Sequence, residues 1–254
     1  MSTLIERLEE RGRNPRMAAM RERYLDAMNL SNGARVLDLG CGTGVVTRAL
    51  ARRNQLSMIL GIDRDSGLIE AAKNLAAEEG LDDRVDFRVG DAQNLDLPGS
   101  SMDALTAQTV LTHVKDAEAV LGEIARVLRP GGTLGIFDGD YASRTFGSSD
   151  HVLARKMEDA LSRLGGHRPR LMRDLPALLE GRFEISEVIP FVHVQHGDGG
   201  SWLEFAEKSA ESLQREGMAT SDEVERWLRD LRTSSQRGTF FAALNYYAFI
   251  ARTK

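Results

Sequence analysis

Cysteine is nearly absent from this chain of 254 residues: Cys41 is the only one. A lone cysteine cannot build a disulfide framework or a multi-cysteine metal or arsenic site, and it fits a reducing cytoplasm, the expected location. No apolar run approaches the roughly 20 residues that a membrane-crossing helix needs. The stretch 1–30 is charged and periodic, unlike a signal peptide. A basic block is also missing, with 33 Lys and Arg against 38 Asp and Glu for a net charge of -5. A nucleic-acid phosphate surface is therefore not the expected main partner. There is no internal repeat, low-complexity tract or linker. The expectation is one α/β domain over 1–254 with a helical elaboration; the oligomeric state stays open.

The chain is organised around Val36-Leu37-Asp38-Leu39-Gly40-Cys41-Gly42-Thr43-Gly44. Apolar residues lead into an acidic one, glycines follow at alternate positions, and Val45-Val46 resume an apolar run. This reads as a buried strand, a tight turn and a helix running to about Arg53. Bare glycine peptide lets a ligand lie against the turn. A dinucleotide fingerprint would need a third glycine at 45, where Val45 stands, so a nucleotide-binding oxidoreductase is disfavoured.

The pattern D-x-G-x-G-x-G resembles motif I of the class I S-adenosylmethionine (SAM)-dependent methyltransferases, and later segments extend the likeness. Ser57 to Asp63 reads as a second buried strand, with Asp63 placed to accept from two ribose hydroxyls while Asp65 or Ser66 caps the helix Gly67–Glu79. Val85, Phe87 and Val89 alternate with charged residues as a third strand that ends in Gly90-Asp91-Ala92. In the resembling family an aspartate there accepts from the adenine amino group and the next backbone N–H meets a ring nitrogen. Asp103–Gln108 reads as the fourth strand, and Gln108 and Thr109 should border the cofactor. A striped helix follows, stopped by a turn at Arg129-Pro130-Gly131-Gly132, and Thr133–Asp138 is the fifth strand. The resemblance is to the small-molecule branch, near the ubiquinone/menaquinone-biosynthesis-type enzymes.

That resemblance implies a Rossmann-like doubly wound sheet of seven strands in the order 3-2-1-4-5-7-6, strand 7 antiparallel, under a helical cap. It divides the chain into an N-terminal helical lid (1–30), a SAM-binding core (31–138), and cap helices plus the last two strands (139–254). The implied cofactor residues are Asp38, Gly40, Cys41, Gly42, Gly44, Asp63, Arg64, Asp91, Ala92, Gln108 and Thr109. Arg16 or Arg21 on the lid could meet the methionine carboxylate. The implied cofactor is SAM, with S-adenosylhomocysteine as product and a small molecule as methyl acceptor. The alternative is a SAM-binding regulatory or partner protein without catalysis.

Beyond 138 the signals weaken. A helix over 152–164 is closed by Gly165-Gly166, and a short helix starts near Pro176. Phe183–Val194 reads as a sixth strand, Trp202–Arg232 as one or two helices, and Phe240–Ala251 as a final strand apolar on both faces. Candidates for a base are His113, Asp140 and Tyr141, although His113 also reads as a buried residue at a helix start. Asp138-Gly139-Asp140-Tyr141 would leave the fifth strand at the crevice. His193, His196 and Asp198 form too loose a trio for a metal, and none is expected. The segment after strand 4 lacks the Asn/Asp-Pro-Pro-aromatic pattern of exocyclic-amine methylation, and no Pro-Cys nucleophile exists for pyrimidine C5 attack. The late aromatics suit an apolar or aromatic small acceptor.

Overall fold

The computed structural model describes residues 3–53, 56–164 and 168–254. The elements are α1 (Leu4–Arg13), α2 (Pro15–Ala27), β1 (Arg35–Leu39), α3 (Val45–Arg53), β2 (Met58–Asp63), α4 (Ser66–Glu78), β3 (Asp86–Val89), β4 (Met102–Gln108), α5 (Ala117–Val127), β5 (Leu128–Phe146), α6 (His151–Leu164), α7 (Leu171–Leu179), β6 (Phe183–Gly197), α8 (Gly200–Arg215), α9 (Ser221–Gln236) and β7 (Phe240–Thr253). The expected stop of α6 at Gly165-Gly166 lies outside the described residues.

The seven strands pair in the order β3-β2-β1-β4-β5-β7-β6. β1 to β5 run parallel to one another, with Asp38 level with both Gly61 and Thr106. β7 runs the other way. Near its end the Thr253 hydroxyl donates to the Arg129 carbonyl, while at its start the Phe241 carbonyl accepts from the Gly147 N–H. The order and the reversed strand are those the resemblance implied.

Two compact units divide the chain: the first takes Met1–Asp138, Asp174–Ile189 and Tyr247–Lys254, the second Gly139–Arg173 and Pro190–Tyr246. In the first unit, Val36, Leu37 and Leu39 of β1 are all but fully buried, as strands covered on both faces must be. Helix α2 packs tightly here. Its Tyr24 hydroxyl hydrogen-bonds Thr106 of β4 and donates to the Gly135 carbonyl of β5 at 3.0 Å, and its ring lies 5.7 Å from that of Phe137. Helix α1 is tied down by a buried ion pair, Arg48 Nη2 to Glu9 Oε2 at 2.8 Å, and the same guanidinium reaches Glu79 at 3.0 Å. In the second unit, Phe146 sits edge-on to Trp202, Trp227 and Phe240, with ring centroids 5.4 to 6.4 Å away.

Two expectations need correction. β5 neither begins at Thr133 nor leaves the sheet at Asp138; it runs from Leu128 to Phe146. Its start contains Arg129-Pro130-Gly131-Gly132 as a bulge, because Met102 pairs with Leu128 while Ala104 already pairs with Thr133. Its far end is extended by β7, where the Asn245 N–H donates to Ser143 Oγ. Helix α7 starts at Leu171 rather than near Pro176, which lies inside it. Leu171, Met172, Leu175 and Leu179 are buried, and that apolar face outweighs the hydrogen bond the proline forgoes.

Candidate functional site

Between β1 and β4 the strand order changes direction, since β2 and β3 build to one side and β5 to the other. Open α/β sheets take ligands in the crevice outside the carboxyl ends of the strands at such a point. Here the first unit has a cleft in two adjoining parts that share Gly40 and Thr109.

The glycine turn forms the floor. Gly40 and Cys41 both donate their N–H to the Ile62 carbonyl, at 2.7 and 3.0 Å, which pins the turn to β2. Gly40 has φ +67°, and a Cβ there would fall 2.5 Å from Val110 Cγ2, so no other residue fits. Gly42 has φ +55°, and beyond it the nearest atom to an added Cβ is Leu8 Cδ1 of α1, at 3.5 Å. Its peptide is thus presented bare between α1 and the sheet. Gly44 lines neither part of the cleft; its N–H closes the turn onto the Cys41 carbonyl.

One part of the cleft is lined by Asp38, Gly40, Cys41, Gly42, Gln108 and Thr109 from the sheet, and by Leu8, Arg11, Gly12, Met17 and Arg21 from α1 and α2. The first turn of α3, Val45 and Val46, faces it too. Four buried polar atoms here have no hydrogen-bond partner: Arg11 Nη2, Arg21 Nε, Thr43 Oγ1 and Gln108 Oε1. Buried polar groups are seldom left so, and a cluster of them in a cleft calls for a polar ligand. Two guanidiniums and a helix N-terminus favour an anion. Asp38, 1% exposed, accepts the Thr47 hydroxyl at 2.6 Å. Burial raises its pKa to about 7 against the pull of Thr47, and the charge of Asp63 adds to the rise. An ammonium beside it would restore the charged form. Burial, then Asp38 and Asp63, push the Cys41 thiol far up, so it stays protonated and is no nucleophile.

The other part is lined by Gly40, Asp63, Arg64, Asp91, Ala92, Thr109 and His113, among others. Asp65 caps α4, accepting from Gly67 and Leu68, which leaves Asp63 free of that task as expected. Asp63 takes the Gly42 N–H on Oδ2 at 2.9 Å and the Asp65 N–H on Oδ1 at 3.0 Å. Each oxygen keeps a second lone pair. Asp91 accepts from the Gln93 N–H at 2.9 Å.

Thr109 holds a strained position where the two parts meet. Its φ is +54°, a region unfavourable for a β-branched residue, and its N–H donates to the Phe137 carbonyl at 2.7 Å. Strain kept at the end of a strand beside a cleft is a mark of function.

The base candidates fall in different units. His113 is exposed, in the turn before α5, and lines the cleft of the first unit, so the reading of it as buried is corrected. The buried carboxylate nearby is Asp138, which accepts the Thr112 hydroxyl at 2.9 Å. Asp140 and Tyr141 belong to the second unit, where Asp140 is 2% exposed and takes Arg173 Nε at 2.8 Å. Among the described residues no group of three His, Cys, Asp or Glu side chains is placed to hold a metal, and His193 stacks edge-on to Trp202 at 5.5 Å. Nor is any described helix long and apolar enough to cross a membrane.

Of the two arginines named on the N-terminal helices, Arg21 lines the cleft and Arg16 is exposed outside it. Arg11 was missed. Its signal is the spacing Leu8, Arg11, Gly12, which shares one helix face. Gly12 lets that face approach α3, because a Cβ there would lie 2.8 Å from Val45 Cγ1.

This sheet order with a reversed seventh strand is the fold of Rossmann-like methyltransferases. A putative methyltransferase from Bacillus halodurans superposes with a TM-score of 0.65 at 19% identity, covering 92% of this chain and 98% of that one. Residues 37–136 match the family described as a methyltransferase domain. Methyltransferase GfsG of Streptomyces halstedii is 38% identical over 119 residues, 47% of this chain and 42% of that protein. The 27-O-demethylrifamycin SV methyltransferase of Amycolatopsis mediterranei is 38% identical over 117 residues, 46% of this chain and 43% of that protein. The match thus spans less than half the length of either curated relative.

Proposed function

We propose that this protein transfers a methyl group from S-adenosylmethionine to a small-molecule acceptor. The observation that carries the reading is the order of charges along one cleft: Arg11, Arg21 and the start of α3, then Asp38, then Asp63, then Asp91. That order suits a ligand with an amino-acid group at one end and a ribose and a base at the other. The guanidiniums would hold the carboxylate; Arg11 Nη2 has an unmet donor for it, while Arg21 Nε has only Glu22 Oε1 at 3.5 Å. Asp38 would take the ammonium. The second lone pairs of Asp63 would accept from the ribose hydroxyls, and Asp91 with the Ala92 N–H would read the adenine edge. The family match over residues 37–136 supports the same cofactor.

The bound cofactor supplies an already activated methyl on a sulfonium. The protein's own work is positioning and the exclusion of water. Leu8 and Gly12 of α1 bring that helix against the glycine turn, which supports the role of the N-terminal helices as a lid. One of the relatives is by name a 27-O-demethylrifamycin methyltransferase. A hydroxyl acceptor of that kind must lose a proton, which gives His113, Asp140 or Tyr141 the task of a base. The small-molecule branch near the ubiquinone/menaquinone type, and a cytoplasmic location, remain part of this proposal.

The test is titration calorimetry of the purified protein with S-adenosylhomocysteine, SAM and NAD. Binding of the first two and not the third is expected. Tight NAD binding without either sulfur ligand would overturn the reading.

A further inference from the structure

In the second unit, no carboxylate among the described residues pairs with one buried cation. Arg144, near the end of β5, is 8% exposed, and its Nη1 has no hydrogen-bond partner. The carboxylate four residues earlier, Asp140, is engaged by Arg173 at 2.8 Å. What surrounds the guanidinium instead is aromatic: its Cζ lies 4.4 Å from the centre of the Phe205 ring and 5.8 Å from that of Tyr141. Burial lowers the Arg144 pKa, and the phenols of Tyr141 and Tyr246 partly oppose this. His193 continues the cluster, 6.4 Å from the Tyr246 ring and 5.5 Å from Trp202.

A desolvated guanidinium without a carboxylate is costly, and stacking on rings recovers only part of the loss. A chain that needed only packing at this position would do better with leucine or methionine. The planar fork of arginine keeps its in-plane N–H groups available while its faces lie on rings, a geometry matched to a planar oxyanion.

We propose that Arg144, with Phe205, Tyr141 and Tyr246, forms a binding site in the second unit for a flat conjugated anion, such as an aromatic carboxylate or a phenolate. Arg144 binds the oxyanion edge-on, and the neighbouring rings take the conjugated face.

The experiment uses benzoate as probe and benzamide, its neutral isostere, as control, on the full chain by calorimetry and ligand-observed NMR. Benzoate is expected to bind and benzamide not. Arg144→Met should weaken benzoate about tenfold or more while its melting temperature stays level or rises. Arg144→Lys keeps the charge and loses the fork; it should also weaken benzoate, which a purely structural cation would not require. The proposal is overturned if benzoate and benzamide bind alike, if benzoate does not bind the natural protein, or if both variants keep full affinity. S-adenosylhomocysteine binding is measured on the same samples. Its loss in the natural protein would strike the methyl-transfer reading alone, whereas benzoate failure with it intact strikes only the anion site.

Discussion

Replacing Asp38 by asparagine should make the ligand-free protein more stable and its cofactor weaker, and both effects should depend on pH. Burial lifts the Asp38 pKa from 3.8 to about 7. The folded protein therefore keeps a proton that the unfolded chain releases near pH 4. Stability falls as pH climbs through that window and levels off above it. A shift of about three units corresponds to about 4 kcal/mol withheld at pH 8. Asparagine has no proton to lose, and its Oδ1 can still accept the Thr47 hydroxyl. Asp38→Asn should match the natural protein at pH 4.5 and overtake it by about 2–4 kcal/mol at pH 8. Urea unfolding without ligand, repeated across pH, reads this difference. Cofactor affinity should move the other way. The natural protein should bind more tightly as Asp38 ionises through pH 7, when an ammonium beside it offsets the burial cost. The variant should bind more weakly and with a flatter profile. Arg11 and Arg21 also face this part of the cleft, and the charge of Asp63 in the adjoining part opposes ionisation of Asp38. A stability difference that stays constant from pH 4.5 to 8 would refute the reasoning, as would a variant that is weaker at pH 8.

Four further outcomes are expected. Asp63→Ala removes charge-assisted contacts worth roughly 1.5–3 kcal/mol each and should weaken SAM about tenfold or more; it should also speed amide exchange at Gly42, and unchanged affinity would leave Asp63 as a brace for the turn. Thr109→Gly relieves a left-handed β-branched residue and should stabilise the protein by about 1 kcal/mol in chemical denaturation; a loss of stability would mean that Thr109 is unstrained. Arg11→Ala and Arg21→Ala should each reduce cofactor affinity, and hydrogen exchange over residues 10–28 should slow when cofactor binds; equal exchange in both states would make the N-terminal helices plain packing. With an acceptor in hand, one of His113→Ala, Asp140→Asn and Tyr141→Phe should lower turnover by about 10²–10⁴ with SAM affinity intact; near-normal turnover in all three would point to an acceptor that needs no base.

The parts of the site that could be read in the sequence are those set by short-range geometry. Asp38, Gly40, Gly42 and Asp63 follow a strand–turn–helix–strand path whose length leaves little freedom, and the resemblance to motif I supplied the roles that spacing does not. Arg11 was missed for the opposite reason. The shared face of Leu8, Arg11 and Gly12 was legible, but that Gly12 lets α1 settle on Val45 is a contact between distant segments. The error at α7 arose from taking Pro176 as a first-turn proline, when the buried Leu171 and Met172 carry the helix earlier. Arg129-Pro130-Gly131-Gly132 carries the residues of a turn, but its strand resumes register after a bulge, and register is a property of the partner. Arg144 left no trace, because the fifth strand was expected to end at Asp138 and the rings around Arg144 come from distant segments.

The clasp of Tyr24 bears on the order in which the chain can be finished. Its two hydrogen-bond partners lie 82 and 111 residues further along, on β4 and β5. Helix α2 leaves the ribosome before β4 and β5, yet the surface that receives Tyr24 and Met28 does not exist until Gly135 has been made. Throughout that interval the apolar face of α2 is without its partner, and closing so long a loop is slow. Docking of α2 is thus a late step that reports completion of the sheet through β5. A chain truncated before Gly135 would present an exposed apolar helix beside an unfinished sheet, a species prone to aggregate and open to proteolysis.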